Sequence, residues 1–202
     1  MPSQRRTIFI TFFFLAAISA LLIYAPHFLI YSDRPEKSDA VVMFLGKDQK
    51  ARLAEANWLL AEGYADYILI PGLGIIQKIS QLSGLPVIKT KKKKSVIAGR
   101  KKNTCFEGTH VEVIEARRMM SRHGLTSAIF VSSPYHMRRV KVITEKVFDG
   151  ESSRIVFAPT RFEKVNTDLR RLKISDWKYL GYEYLKMAWF MAYSMFMTDQ
   201  DI

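Results

Sequence analysis

Cysteine is nearly absent: Cys105 stands alone among 202 residues. An internal disulfide is therefore excluded, and oxidising and reducing compartments fit equally well. There is no H-x-x-x-H pair and no clustered carboxylates, so the sequence signals no metal site. Two hydrolase signatures are also missing: a G-x-S-x-G elbow and a His/Asp pair in a known order. No internal repeat is found, and the only low-complexity stretch is a lysine run. Charge is missing from Ile8 to Ala25. Acid is missing from residues 89–102, which hold eight basic side chains.

The uncharged stretch continues through Pro26 and His27 to Ile30. About 18–24 apolar residues match one bilayer crossing as a helix. A cleaved signal peptide has a shorter apolar core, about 7–15 residues, and ends in small residues. Here Leu21-Leu22-Ile23-Tyr24 follows the only small-residue cluster, Ala16 to Ala20, which favours an uncleaved signal anchor over residues 1–31. Arg5 and Arg6 precede it. Arg34, Lys37 and Lys47 follow it, mixed with Asp33, Glu36 and Asp48, so charge gives only a slight bias to a cytoplasmic amino terminus. So short a leader is the habit of a signal anchor, with the domain outside the cytoplasm.

Net charge is +12. On a tethered domain, the basic stretch suggests anionic lipid headgroups or a phosphorylated polymer. A solvated loop is the plainer reading for Lys91 to Lys94. No reading motif accompanies the charge, so nucleic acid is not an expected partner.

Residues 32–38 read as a polar linker. Ala40 to Leu45 is an apolar, β-branched strand ending at Gly46. Lys50 to Glu62 has helical periodicity, with Leu53, Ala56 and Leu60 on one face and Gly63 as a stop. Tyr67 to Ile70 is a second strand, followed by Pro71-Gly72-Leu73-Gly74. A short amphipathic helix is expected over Ile75 to Leu82, and a short strand over Pro86 to Lys89. A helix with Phe106, Val113, Ala116 and Met120 inward closes at His123-Gly124. Ala128 to Val131 is the third strong strand. The helix after it turns Met137, Val140, Thr144 and Val147 inward, and Arg154 to Ala158 is the last strand. Strands alternating with helices imply parallel pairing through right-handed crossovers. The expected fold is a Rossmann-like, three-layer α/β sandwich with a mainly parallel sheet over residues 39–160, preceded by one transmembrane helix. Residues 161–202 form an extension. Its helix, Asp176 to Thr198, places Trp177, Leu180, Tyr184, Ala188, Met191 and Met195 at helical spacing, for packing on the domain or for the membrane interface.

The strand Ala128–Val131 runs into Ser132-Ser133-Pro134-Tyr135-His136-Met137-Arg138-Arg139. Two hydroxyls, an imidazole and two guanidinium groups thus reach the end of a buried strand as a helix begins. Helix N-termini hold anions, and open α/β sheets bind ligands at the carboxyl ends of their strands. A phosphate is the expected ligand. Ser133-Pro134 is equally an ordinary helix start.

Four features together resemble the YdcF/SanA/ElyC family: Asp39-Ala40-Val41-Val42 leading to Leu45-Gly46; Arg52, Ala56 and Gly63 around the first helix; Asn103-Thr104 with Glu107; and Ser133, His136 and Arg139 in a Ser-x-x-His-x-x-Arg pattern. The amino-terminal span is similar to the SanA and ElyC branch. The resemblance implies an α/β fold. For anchored members it implies a role in the cell envelope, in barrier integrity, surface polysaccharide or lipid-carrier metabolism; with the signal anchor, the expected location is the inner membrane with the domain on the periplasmic side. It implies no agreed reaction. Members have been proposed to bind nucleotide-like ligands such as S-adenosylmethionine; that ligand is not carried over, and no cofactor or metal is assigned. Two loops depart from the family pattern. The first, usually a run of glycines, is Gly46-Lys47-Asp48, and the second is Pro71-Gly72-Leu73.

The expected ligand is an anionic phosphorylated small molecule or lipid headgroup. Gly46, Lys47, Arg52, Gly72, Asn103, Thr104, Arg138 and Arg139 are the candidates to bind it. His136 is the candidate acid or base, oriented by Glu107, whose carboxylate would raise the histidine's pKa. Ser133 would position substrate or act as nucleophile. Thr104 and Glu107 read equally as a capping box, and Arg52 as a surface ion pair with Glu55 or Asp48. A non-catalytic scaffold, contacting lipid or a partner through the basic loop and aromatic tail, is the alternative to a ligand-binding envelope protein.

Overall fold

The structure is a computed structural model and describes residues 2–78 and 106–197. Asn103, Thr104, the basic stretch and the strand expected at Pro86 to Lys89 lie outside those residues. Helix α1 (Pro2–Leu29) carries the apolar run Ile8–Leu29, the one helix among the described residues long and apolar enough to cross a membrane.

Five strands form one sheet: β1 (Ala40–Met43), β2 (Tyr67–Ile70), β3 (Ile75–Lys78), β4 (Ser127–Ser132) and β5 (Arg154–Pro159). Their order is β3-β2-β1-β4-β5. All neighbours are parallel except β2 and β3. Helices α2 (Gln49–Ala61), α3 (Gly108–Arg122), α4 (Pro134–Val147) and α5 (Ile174–Ser194) complete the domain.

Side-chain alternation along the strands explains how the helices distribute. Ala40, Val42, Leu69, Ala128, Phe130 and Phe157 face α3, α4 and Phe190 of α5. Val41, Met43, Ile68, Ile70, Ile129, Val131 and Val156 face Ala56, Leu59 and Leu60 of α2. Strands buried on both faces read as continuous apolar runs, as AVVM and YILI do. Asp39 joins β1 to β4 from below: its Oδ2 accepts from the backbone N–H and hydroxyl of both Thr126 and Ser127. Burial would raise its pKa, but these donors outweigh burial and lower it.

Two expectations are corrected, and the contacts of the linker are added to them. Ile75–Lys78 is a strand, not a helix. Gly74 takes a left-handed φ of 62° after the Pro71–Leu73 turn, which folds the chain back so that β-branched Ile75 and Ile76 pair antiparallel to β2. The polar linker, residues 32–38, is held to the domain through Asp33. The Asp33 N–H donates to the Phe157 carbonyl at 2.8 Å, and its carboxylate accepts from the Phe157 N–H at 3.0 Å. The tail helix packs on the domain through Leu180, Glu183, Met187 and Phe190, a face rotated from the expected one.

Candidate functional site

Strand order reverses between β1 and β4, because the chain leaves β1 toward β2 on one side and returns as β4 on the other. At such a switch point the loops beyond the strand ends diverge and leave a crevice. A cavity of about 520 Å³ lies there. Lys47 ahead of α2, Gly108 and Thr109 at the start of α3, and His136 at the start of α4 all line it, so three helix N-termini converge on one space. A larger groove of about 670 Å³ beside it, along α2 and Phe162, holds neither of the buried arginines described next.

Arg52 joins the ends of β1 and β4. Its Nη1 donates to the carbonyls of Phe44 (3.0 Å) and Leu45 (2.7 Å), and Nε and Nη2 donate to Ser133 Oγ at 3.1 and 3.0 Å. Arg52 is 2% exposed, so the surface ion pair is not what forms; Glu55 pairs with Arg161 instead. A Cβ on Gly46 would fall 2.4 Å from the Arg52 guanidinium. Arg52 thus leaves no room for a side chain at Gly46, which also lines the cavity. Likewise a Cβ on Gly72 would meet Leu45 at 2.4 Å and Glu112 at 2.9 Å.

Arg139 is the second buried arginine. A guanidinium has five N–H donors, and Arg139 uses all of them. Nε and Nη2 hold the two Glu183 oxygens at 2.8 and 3.1 Å. Nη1 holds Glu107 Oε1 at 2.5 Å and Thr109 Oγ1 at 2.8 Å. The last donor reaches His136 Nδ1, with Nη2 2.6 Å away. A guanidinium cannot accept, so that contact assigns an unprotonated Nδ1 and puts the imidazole proton on Nε2, 3.3 Å from Thr109 Oγ1.

Burial, and then Arg139, push the His136 pKa down to about 4, against the pull of Glu183. The expected upward shift is therefore reversed. Nor is Glu107 the carboxylate that faces His136: Glu183 does, 3.1 Å from Nδ1, and Glu107 pairs with Arg139. Burial would raise the Glu183 pKa, but His136, protonated in that acid range, and Arg139 outweigh it and hold it at about 2. Glu107 is the N-cap of α3 and accepts from its Thr109 N–H at 3.1 Å. Tyr193 of α5 steadies this turn, its hydroxyl accepting from the Glu107 N–H at 3.3 Å.

Ser133 is fully buried, and its Oγ accepts from Arg52 rather than facing His136, a placement unsuited to a nucleophile. Arg138 is not in the cavity. It donates to the Phe28 carbonyl at 2.8 Å and lies over the Phe28 and Tyr31 rings, seating α1 on the domain.

Two acidic residues of the site were not among the candidates. Glu183 sits at a core position of a helix read only for its apolar residues. Glu112 lies one turn into α3, and accepts from the Leu45 N–H at 3.3 Å. Burial pushes its pKa up to about 8, so it is protonated at neutral pH. The cavity then presents four cations, Lys47, Arg52, Arg139 and Lys186, against two ionised carboxylates, Glu107 and Glu183. Among the described residues no group of three or more His, Cys, Asp or Glu side chains is placed to hold a metal ion. Compared with protein-family models, curated proteins and solved structures, the chain matches none.

Proposed function

We propose that this chain is a membrane-anchored cell-envelope protein of the YdcF/SanA/ElyC type. In this reading α1 is a single-pass anchor in the inner membrane, and the domain is a three-layer α/β sandwich on the periplasmic side. The domain binds a phosphorylated envelope precursor, of lipid-carrier or nucleotide-sugar type, in envelope biogenesis or barrier integrity. One observation carries the reading. A cavity at the switch point of the sheet holds a cationic excess at the start of three helices, where N–H groups and helix dipoles favour an anion.

The residues divide into two roles. Lys47 and Lys186 are exposed at the cavity and free to meet a phosphate directly. Arg52 and Arg139 supply fixed positive charge from below while holding the strand ends and the carboxylates in place. If the ligand is transformed, Glu112 is the group that carries a proton to give at neutral pH. His136, with both ring nitrogens engaged, is a positioning residue.

The test is thermal unfolding of the full chain in detergent with inorganic phosphate, nucleotide sugars and polyprenyl phosphates. A binder at a hundredfold excess over its dissociation constant stabilises the fold by roughly 2.7 kcal/mol. Lys47→Ala and Lys186→Ala should each reduce that shift without lowering the unliganded Tm. No shift across the panel would refute a phosphate site. The scaffold reading would then stand, supported by the complete engagement of Arg139 with protein acceptors.

A further inference from the structure

Helix α5 is apolar on two sides. One side is the core face already described. The other is turned outward: Leu185, Ala188, Trp189, Ala192, Met195 and Phe196 are exposed and recur at helical spacing along α5 and the turn that ends it. Leu185 is 66% exposed and Phe196 85%, too much apolar surface in one stripe for a face that meets only water.

The surface continues from α1. The last turn of α1 is seated on α5: the Tyr184 hydroxyl donates to the Ala25 carbonyl at 2.8 Å, the Phe28 ring stacks on Tyr184, and Leu29 is fully buried beside Leu180. Ala25 to Leu29 are the final residues of the apolar run. α5 therefore sits where that run leaves the bilayer. Its composition fits that depth, with tryptophan, tyrosine and phenylalanine in the stripe region and Lys178 and Lys186 as its exposed charges past the first turn. Trp189 and Lys186 also line the phosphate cavity, so the cavity mouth belongs to the same surface.

The geometry points to α5 as a membrane-surface helix: its outward face lies among the lipid headgroups of the bilayer that α1 crosses, and the cavity is loaded from that surface by a phosphorylated amphiphile whose chain stays in the lipid. This rests on the reading of α1 as a span and of the cavity as a phosphate site.

The full chain in phosphatidylcholine vesicles with brominated acyl chains tests the surface. Wild type should show a bromine-quenched fluorescence component that Trp189→Phe lacks; Trp189 is exposed, so this change spares the fold. Equal quenching in both proteins overturns the proposal, and crosslinks between copies through Met195 or Phe196 positions would then assign the stripe to a dimer. Dodecyl phosphate doped into unbrominated vesicles tests the loading route. It should raise the unfolding temperature at bulk concentrations where inorganic phosphate does not. Equal shifts from the two overturn loading from the membrane. No shift from either overturns the phosphate site and the route with it, whereas quenching at Trp189 upholds the membrane contact on its own.

Discussion

Replacing Glu183 by alanine tests the centre of the site. The change removes both oxygens that hold Arg139, at 2.8 and 3.1 Å, and leaves Glu107 as the guanidinium's only anionic partner. Arg139 and Glu183 are each 2% exposed. Breaking a buried pair by deleting one partner costs about 3–5 kcal/mol, because the remaining charge stays in a poorly solvating interior. Glu107 still neutralises part of that charge, which places the expectation at the lower end, ~3 kcal/mol. For a chain of this size that is a fall of roughly 6–12 °C in Tm. The pH dependence has a definite sign. Glu183 is held at about 2, against an ordinary value of 4.5. A carboxylate with a depressed pKa contributes fully above its unfolded value and loses that contribution as pH falls through the folded one. The gap between wild type and Glu183→Ala should therefore be full at neutral pH and close between about 4.5 and about 2. The assay is thermal unfolding of the full chain in detergent, followed by circular dichroism across that range. An Arg139→Met/Glu183→Leu double variant should be less destabilised than the sum of its single changes, by at least ~1 kcal/mol. A Glu183→Ala variant within ~1 kcal/mol of wild type at neutral pH would refute a buried ion pair, as would a gap that does not narrow in acid.

Further outcomes follow from other residues. Gly46→Ala places a methyl against the Arg52 guanidinium and should cost ~1–3 kcal/mol by urea unfolding; Arg52→Ala in the same background should add less than it does alone. His136 is held neutral down to about 4, whereas an unfolded histidine takes its proton near 6.5, so stability should fall as pH drops from about 6.5 to about 4. His136→Gln should flatten that limb in an acid titration of Tm. Glu112 has the opposite sign: with a folded value of about 8 against 4.5, its contribution is full below 4.5 and is lost as pH rises through 8. Glu112→Gln should remove that alkaline decline. Arg138→Ala should leave phosphate-induced shifts unchanged and increase proteolysis near Tyr31; a lost ligand shift would return Arg138 to the site.

Much of the fold was legible because it depends on near neighbours in the chain. Continuous apolar runs such as Ala40–Met43 and Ala128–Val131 announce strands covered on both faces, and the helices between them dictate parallel pairing. The edge strand was misread. Ile75–Lys78 is too short for periodicity to separate strand from helix, and the decisive fact was the chain reversal at Gly74. Within α5 the spacing of Leu180, Glu183, Met187 and Phe190 was itself a signal. A glutamate at a core position calls for a buried cation, but the aromatic pattern on the helix's other sides drew the reading away.

The sequence by itself determined the apolar run of α1, the α/β class, and the meeting of Ser133, His136 and Arg139 with a helix start. These follow from periodicity and local backbone chemistry. Only the tertiary structure decided what the charges do. Arg139 meets Glu183 44 residues away along the chain, and Arg52 meets Ser133 81 residues away. Those pairings fix which donors are already engaged, why the histidine stays neutral and why Glu112 keeps its proton. A side chain's charge state depends on burial and on neighbours through space, and neither is encoded in spacing along the chain.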